Sequence, residues 1–346
     1  MKKTICILLS LMLILLTACS NTGNNDASAG NKGRKIIIDT DTGADDAAAI
    51  ILAAKDKDIE ILGLTVLVGN VDLEQSTKNA IMSVEVAGKE LPVYKGADTT
   101  LDGEDKYAFS VFGEDGMGDT DLVHPTGKAE DKNAIDFILD SIKQYPGEVE
   151  IIALGPATNI AQAIEKDPIT MMDVKRIWSL GTAGFGPGNA SPVAEFNVYA
   201  DADAYNVMLD SGLPITVVGL DMCGDEAAWT DKQFAKLEKT NDIGSFVTKS
   251  FGKIREFYNE NGANGTVMVC DPICVMCALY PDFVKGTTNC YGSCITDDGE
   301  TYGQVLFYRD GFTYDATNNN DYIYNVQVVT DVDKKGYFDR FLKAIK

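Results

Sequence analysis

Ile36-Ile37-Ile38-Asp39-Thr40-Asp41-Thr42-Gly43-Ala44-Asp45-Asp46-Ala47 sets four carboxylates within eight residues directly behind three consecutive isoleucines. An unbroken β-branched apolar run reads as a strand buried on both faces. Gly43 permits a tight turn after it. Asp39 and Asp41, two residues apart, would project to one face of a strand, and Asp45 and Asp46 would open the next helix, where the macrodipole favours anions. A strand end feeding a helix start is also where open α/β sheets place their ligands.

Outward from this stretch the same alternation continues. Strands are expected over residues 35–38, 59–66, 149–153, 174–179 and 214–218, with helices over 45–55, 73–87, 133–145, 158–166 and 201–211 between them. Residues 231–262 read as helical, and the tail reads as strands near 304–307 and 324–329 followed by a last helix. Such a pattern predicts an open, mostly parallel (mixed) sheet flanked by helices. No Pro/Gly/Ser-rich linker interrupts the chain after residue 35, so 35–346 is read as one α/β domain.

Clustered carboxylates repel, and each raises its neighbours' pKa unless a cation intervenes. A hard divalent ion resolves that conflict. Ca2+ suits it best, because it accepts several carboxylates, a carbonyl and waters in flexible geometry. The plainer alternative is that Asp45 caps the helix while the other acids are solvated.

The first residues carry a different message. Lys2 and Lys3 precede an apolar stretch from Ile5 to Leu16 that is too short to span a bilayer, which needs about 20 residues. Leu16-Thr17-Ala18-Cys19 resembles the lipobox of bacterial lipoproteins, which implies a signal peptide over 1–18 and a lipid on Cys19. Residues 20–34 lack large apolar side chains, so 19–34 reads as a flexible tether. The expected location is therefore extracytoplasmic, anchored to the bacterial cell membrane through that lipid alone.

A formal net charge of −22 argues against a nucleic-acid partner, since phosphate binding needs clustered Lys and Arg. Of eight cysteines, six lie beyond residue 200: Cys223, Cys270, Cys274, Cys277, Cys290 and Cys294. The apolar run from Cys270 to Cys277 reads as buried thiols, and the pairing of Cys290 with Cys294 stays open. His124 is the single histidine, which leaves no Cys/His cluster of zinc-site spacing.

Asp39-Thr-Asp41-x-Gly43-x-Asp45-Asp46-Ala47 resembles the N-terminal signature of the inosine-uridine preferring nucleoside hydrolases. Further blocks follow in the family's order: Val68-Gly69-Asn70, Leu154-Gly155-Pro156-Ala157-Thr158-Asn159, Gly188-Asn189, Ala194-Glu195-Phe196-Asn197 and Cys270-Asp271-Pro272. The resemblance implies hydrolysis of a ribonucleoside's N-glycosidic bond, as in purine or pyrimidine salvage. It implies a Ca2+ held by Asp41, Asp46, the Leu154 carbonyl and Asp271, with Asp39 in support. Asp41 would be the general base, and Asp45, Asn70, Asn189, Glu195 and Asn197 would hold the ribose. It further implies a homodimer or homotetramer.

Two departures concern the leaving base. Cys270 stands where the best-known branch has a histidine, and Phe112-Gly113 stands where it has His-Gly. Cys270 is then the candidate leaving-group acid, as in a branch with cysteine at that place, or else a small buried residue. Phe112, Phe185 or Tyr291 could stack on the base. Two other functions remain open from the sequence. One is a nucleoside- or ribose-binding lipoprotein without turnover, and the other is a Mg2+-dependent phosphohydrolase, whose strand-Asp-x-Asp opening is similar but lacks the second acidic pair.

Overall fold

A computed structural model describes residues 33–309 and 323–346. The expected signal peptide, the lipidated Cys19 and all but the last two residues of the expected tether lie outside the described residues.

Among these residues eleven strands form: β1 (Arg34–Thr40), β2 (Ile59–Val66), β3 (Val93–Lys95), β4 (Val149–Ala153), β5 (Arg176–Leu180), β6 (Ile215–Val218), β7 (Trp229–Thr230), β8 (Thr266–Val267), β9 (Val284–Cys294), β10 (Val305–Tyr308) and β11 (Val326–Val332). Nine make one sheet in the order β10-β9-β11-β6-β5-β4-β1-β2-β3, and β7 pairs with β8 alone. Within the large sheet β9 runs against both its neighbours and the other pairings are parallel. The mostly parallel, mixed sheet expected from the sequence is what forms.

The isoleucine run shows why the sheet is buried on both sides. Ile36 and Ile38 enter one core, with helices Ala44–Lys55 and Asp271–Leu279, while Ile37 enters the other, with helices Ala134–Gln144, Thr158–Lys166 and Ala202–Asp210. All three are fully buried, and truncating such a side chain to alanine costs about 2–5 kcal/mol.

The chain winds outward from β1 through β2 to β3, then returns to place β4 on the other flank of β1. The order therefore reverses between β1 and β4, and open α/β sheets leave a crevice beyond the carboxyl ends at such a point. The acidic stretch follows β1 and Leu154-Gly155 follows β4, so both border that crevice.

Several elements differ from expectation. The strand before the acids extends to Thr40, so Asp39 ends on the sheet while Asp41 stands in the loop beyond it, and the two do not share a strand face. The eleven-residue β9 was not expected. Its burial alternates from Val284 and becomes continuous on one face only from Cys290, the mark of a reversed strand with a solvated side, and its composition is polar. Cys290 and Cys294 lie on it four residues apart, and both are free. The run after Cys270 is the helix Asp271–Leu279, with Cys274 and Cys277 buried as thiols.

Candidate active site

Asp46 sits in the first turn of helix Ala44–Lys55. Its Oδ1 accepts from Thr40 Oγ1 (2.6 Å) and its Oδ2 from the Gly43 N–H (2.9 Å) and Asn70 Nδ2 (3.2 Å). The Gly43 bond ties the carboxylate back across the helix start, so the residue that caps the turn is also a member of the acidic cluster. Asp39 accepts from Thr65 Oγ1 (2.5 Å) and Asn159 Nδ2 (2.8 Å), which locks β1 to β2 and to helix Thr158–Lys166. Asp41 Oδ2 accepts from the Asn70 N–H at 2.7 Å. Gly69 and Gly155 flank the Asp41 carboxyl so closely that a Cβ on either would overlap it.

Part of this hydrogen-bonding capacity has no partner among the described residues. Asp39 Oδ2, Asp41 Oδ1 and Asp45 Oδ1 are buried and accept no hydrogen bond from the described residues. Asp271, first residue of helix Asp271–Leu279, brings a carboxylate oxygen within 4.8 Å of oxygens of both Asp45 and Asp46. Among the described residues these three form the compact acidic group able to hold a metal ion. Asp45, expected on the sugar, thus joins the trio, and Asp41 stands beside it.

The electrostatics follow from that crowding. Burial, with Asp46 as a second cause, pushes Asp45 up to about 8. Burial raises Asp39 to about 7. Burial followed by the Asp46 charge holds Asp41 well above the ordinary carboxylate range, and burial with the Asp45 and Asp46 charges does the same to Asp271. Asp46 is raised as well, by burial, against the hydrogen bonds from Thr40 and Gly43. Four buried acids and the partly buried Asp45 in this state call for a cation, because neutralisation by proton is the only other remedy.

A cavity of roughly 380 Å3 opens above the cluster. Its floor includes Asp45, Asn70, Leu154 and Asp271, and one wall carries Asn189, Glu195 and Asn197. Glu195 caps the short helix Phe196–Ala200, accepting from the N–H groups of Asn197 (3.0 Å), Thr182 (3.2 Å) and Val198 (3.3 Å). Burial nevertheless raises it to about 7. Asn197 Nδ2 donates to the carbonyls of Leu154 (2.6 Å) and Leu180 (3.2 Å). Asn189 Oδ1 accepts from the Phe196 N–H at 2.9 Å.

The far wall is apolar and aromatic. Phe112 lines it, with its ring against Gly43. Phe185 and Tyr291 do not line the cavity. Phe185 packs against Phe307 under the Arg309 guanidinium, and Tyr291 lies in β9 beside Tyr308, at the far edge of the sheet. Cys270 does line it, as a partly exposed free thiol hydrogen-bonded to Cys223, and that contact together with burial raises it well above the usual thiol range. Tyr258, from helix Gly252–Glu260, was missed by sequence reasoning. It sits in an amphipathic segment with no motif around it, and only the packing of that helix against residues 109–112 reveals its place. His124 is exposed on a loop, paired with Asp121.

The sequence model for "inosine-uridine preferring nucleoside hydrolase" matches residues 36–339. The chain belongs to that family. Uridine nucleosidase 1 of Arabidopsis thaliana is 35% identical over 291 residues, covering 81% of this chain and 86% of the relative. A solved plant nucleoside hydrolase, PpNRh1, superposes with a TM-score of 0.84 at 31% identity, over 90% of this chain and 98% of that one. The purine-preferring ribonucleoside hydrolase from Gardnerella vaginalis gives 0.81 at 30% identity, with 90% and 98% covered. This nucleoside hydrolase is accordingly an enzyme that cleaves nucleosides, small molecules that the cavity over its acidic cluster can admit. The phosphohydrolase alternative is set aside by the family, and the binder without turnover by the nucleoside-cleaving enzymes among its relatives.

Proposed function

We propose that this nucleoside hydrolase is a calcium-dependent enzyme that splits ribonucleosides into ribose and free base, exported and anchored to the outer face of a bacterial membrane by a lipid on Cys19. The observation that carries the calcium reading is the close-set trio of Asp45, Asp46 and Asp271, together with the buried oxygens of Asp39, Asp41 and Asp45 that have no partner among the described residues. All are hard oxygen donors, which fits Ca2+ and not a softer thiolate-seeking ion. Asp41, Asp46, Asp271 and the Leu154 carbonyl would hold it, with Asp39 behind them and Asp45 bordering both the ion and the sugar. When bound, the ion supplies charge neutralisation and Lewis acidity.

The side chains divide the remaining work. Asn70 fixes one Asp41 oxygen and leaves Oδ1 to take a proton from the attacking water. The amide nitrogens of Asn70 and Asn197 are engaged with Asp46 and with Leu154 and Leu180, which leaves their carbonyl oxygens to accept from ribose hydroxyls. Asp45, Glu195 and Asn189 would complete the grip on the sugar. As the glycosidic bond lengthens the ribose gains oxocarbenium character, and a negative floor favours that charge. Cys270, a cavity-lining thiol raised well above its usual range, would donate to the departing base, with Phe112 and Tyr258 as aromatic walls.

The anchor rests on residues 1–34, and association into dimers or tetramers rests on the family alone. Among the described residues no helix is long and apolar enough to cross a membrane. Ribose release from uridine, cytidine, inosine, adenosine and guanosine, with chelator and after added Ca2+, tests the chemistry. Turnover unaffected by chelator would sink the calcium reading, and binding without ribose release would sink the hydrolytic one. Detergent partitioning of wild type and Cys19→Ser tests the anchor.

A further inference from the structure

Thr182, just past the end of β5, adopts φ +73° and is fully buried. Five non-glycine residues among the described ones have positive φ, and Thr182 is the β-branched member, for which this region is sterically worst. The conformation has a use: it turns the Thr182 N–H onto Glu195 Oε2 (3.2 Å). Something must hold it, since strain of this kind persists only where surrounding contacts over-determine it.

The contacts come from the segment after β6. The Leu220 N–H donates to the Thr182 carbonyl (3.0 Å), and Asp221 Oδ2 accepts from the Phe185 N–H (3.1 Å), while Thr182 Oγ1 accepts from the Gly184 N–H (3.0 Å). The Asp221 carboxyl is enclosed between Gly184 and Gly219, and a Cβ on either would overlap it. Lys334 Nζ, two residues past the end of β11, donates to the Asp221 carbonyl at 3.0 Å and ties the segment down. Asp221 does not itself line the cavity, although its neighbour Leu220 does.

We propose that Asp221 is a positioning residue for sugar binding: by gripping the Phe185 N–H it holds the strained turn at Thr182, and that turn aims the carboxylate of Glu195. The proposal rests on the reading of Glu195 as a ribose ligand. Without the grip Thr182 relaxes toward negative φ and its N–H leaves Glu195, so the loss falls on sugar affinity and spares the chemical step.

The test compares wild type, Asp221→Ala and Asp221→Asn. Asp221→Ala raises KM about 10-fold with kcat within about 3-fold, and Asp221→Asn, which keeps an acceptor for Phe185, restores KM to within about 2-fold. Hydrogen exchange without substrate shows residues 182–188 losing protection in Asp221→Ala alone, with the rest of the sheet unchanged. An unchanged exchange pattern there overturns the proposal, as does a KM defect that Asn fails to repair or a uniform loss of protection through the domain. The exchange readout needs no substrate, so a protein that cleaves no nucleoside would still report on the clamp.

Discussion

At the amino ends of β1 and β4, Glu150 is 3% exposed, almost as buried as Asp41 at their carboxyl ends, which is 0% exposed. Burial works against the Glu150 charge, but bonds from Arg34, Trp178 and Lys175 outweigh it and hold the carboxyl below its ordinary range. Arg34 meets it with both Nε (2.9 Å) and Nη2 (2.6 Å), and Trp178 Nε1 (3.0 Å) and Lys175 Nζ (2.9 Å) complete the set. At the opposite end five acids share no cation from among the described residues and are all raised. One end is finished by the chain itself. The other is left for something that binds.

The sharpest way to break this contrast is Asp41→Asn. If its free oxygen is the base, kcat falls by about 10²–10⁴ while ribose binding is partly retained, as steady-state ribose release would show. A variant retaining a tenth of wild-type turnover would remove Asp41 from that role.

The two ends should also answer charge removal with opposite signs. In chelator at neutral pH, Asp45→Asn removes a partly buried acid that must take up a proton on folding and should stabilise the domain, by about 1–3 kcal/mol. Glu150→Gln strips Arg34 and Lys175 of their shared partner and should destabilise it by about 1–3 kcal/mol, discounted because both cations keep some contact with water. Turnover should survive Glu150→Gln and not Asp45→Asn. Thermal melts giving both substitutions the same sign would mean that the acids at the cavity floor are not held in tension.

How much of this could be read in the residues follows from the range of the forces involved. The isoleucine run, the acids behind it and the helix after Gly43 are local, and their pattern was legible as strand, loop and helix. Asp271 entered the expected ligand set only through resemblance, since 225 residues separate it from Asp46 and no local signal joins them. The membership of Asp45 in the trio was not legible, because it depends on where helix Asp271–Leu279 docks. Strand β9 was hidden by its polar composition, and Tyr258 by the lack of any motif around it. Phe185 and Tyr291 show the converse: aromatic character is visible in sequence, but the direction a loop or edge strand gives it is not.

Cys270 sharpens the comparison at the level of the leaving group. Cys270→Ala should lower kcat by about 10–100-fold if the thiol protonates the base, and the loss should be smaller for nucleosides whose base departs most readily as an anion. An equal loss of about 2-fold for every nucleoside in the panel would reduce Cys270 to part of the wall, and would shift attention to the Tyr258 hydroxyl.

The smallest expected effect concerns Glu195, whose surroundings lie between the two extremes: three backbone N–H groups hold it, but no cation among the described residues does. Its folded pKa of about 7 lies above the unfolded value near 4.5, so its contribution to stability is full below the unfolded value and is lost as pH rises through about 7. Relative to Glu195→Gln, wild type should therefore lose on the order of 1 kcal/mol between pH 5 and pH 8, roughly 2 °C in Tm for a domain of this size. A wild type that gains on the variant over that window would mean that the three N–H donors suffice to hold the carboxylate ionised, which would place Glu195 with Glu150 among the charges the protein completes by itself.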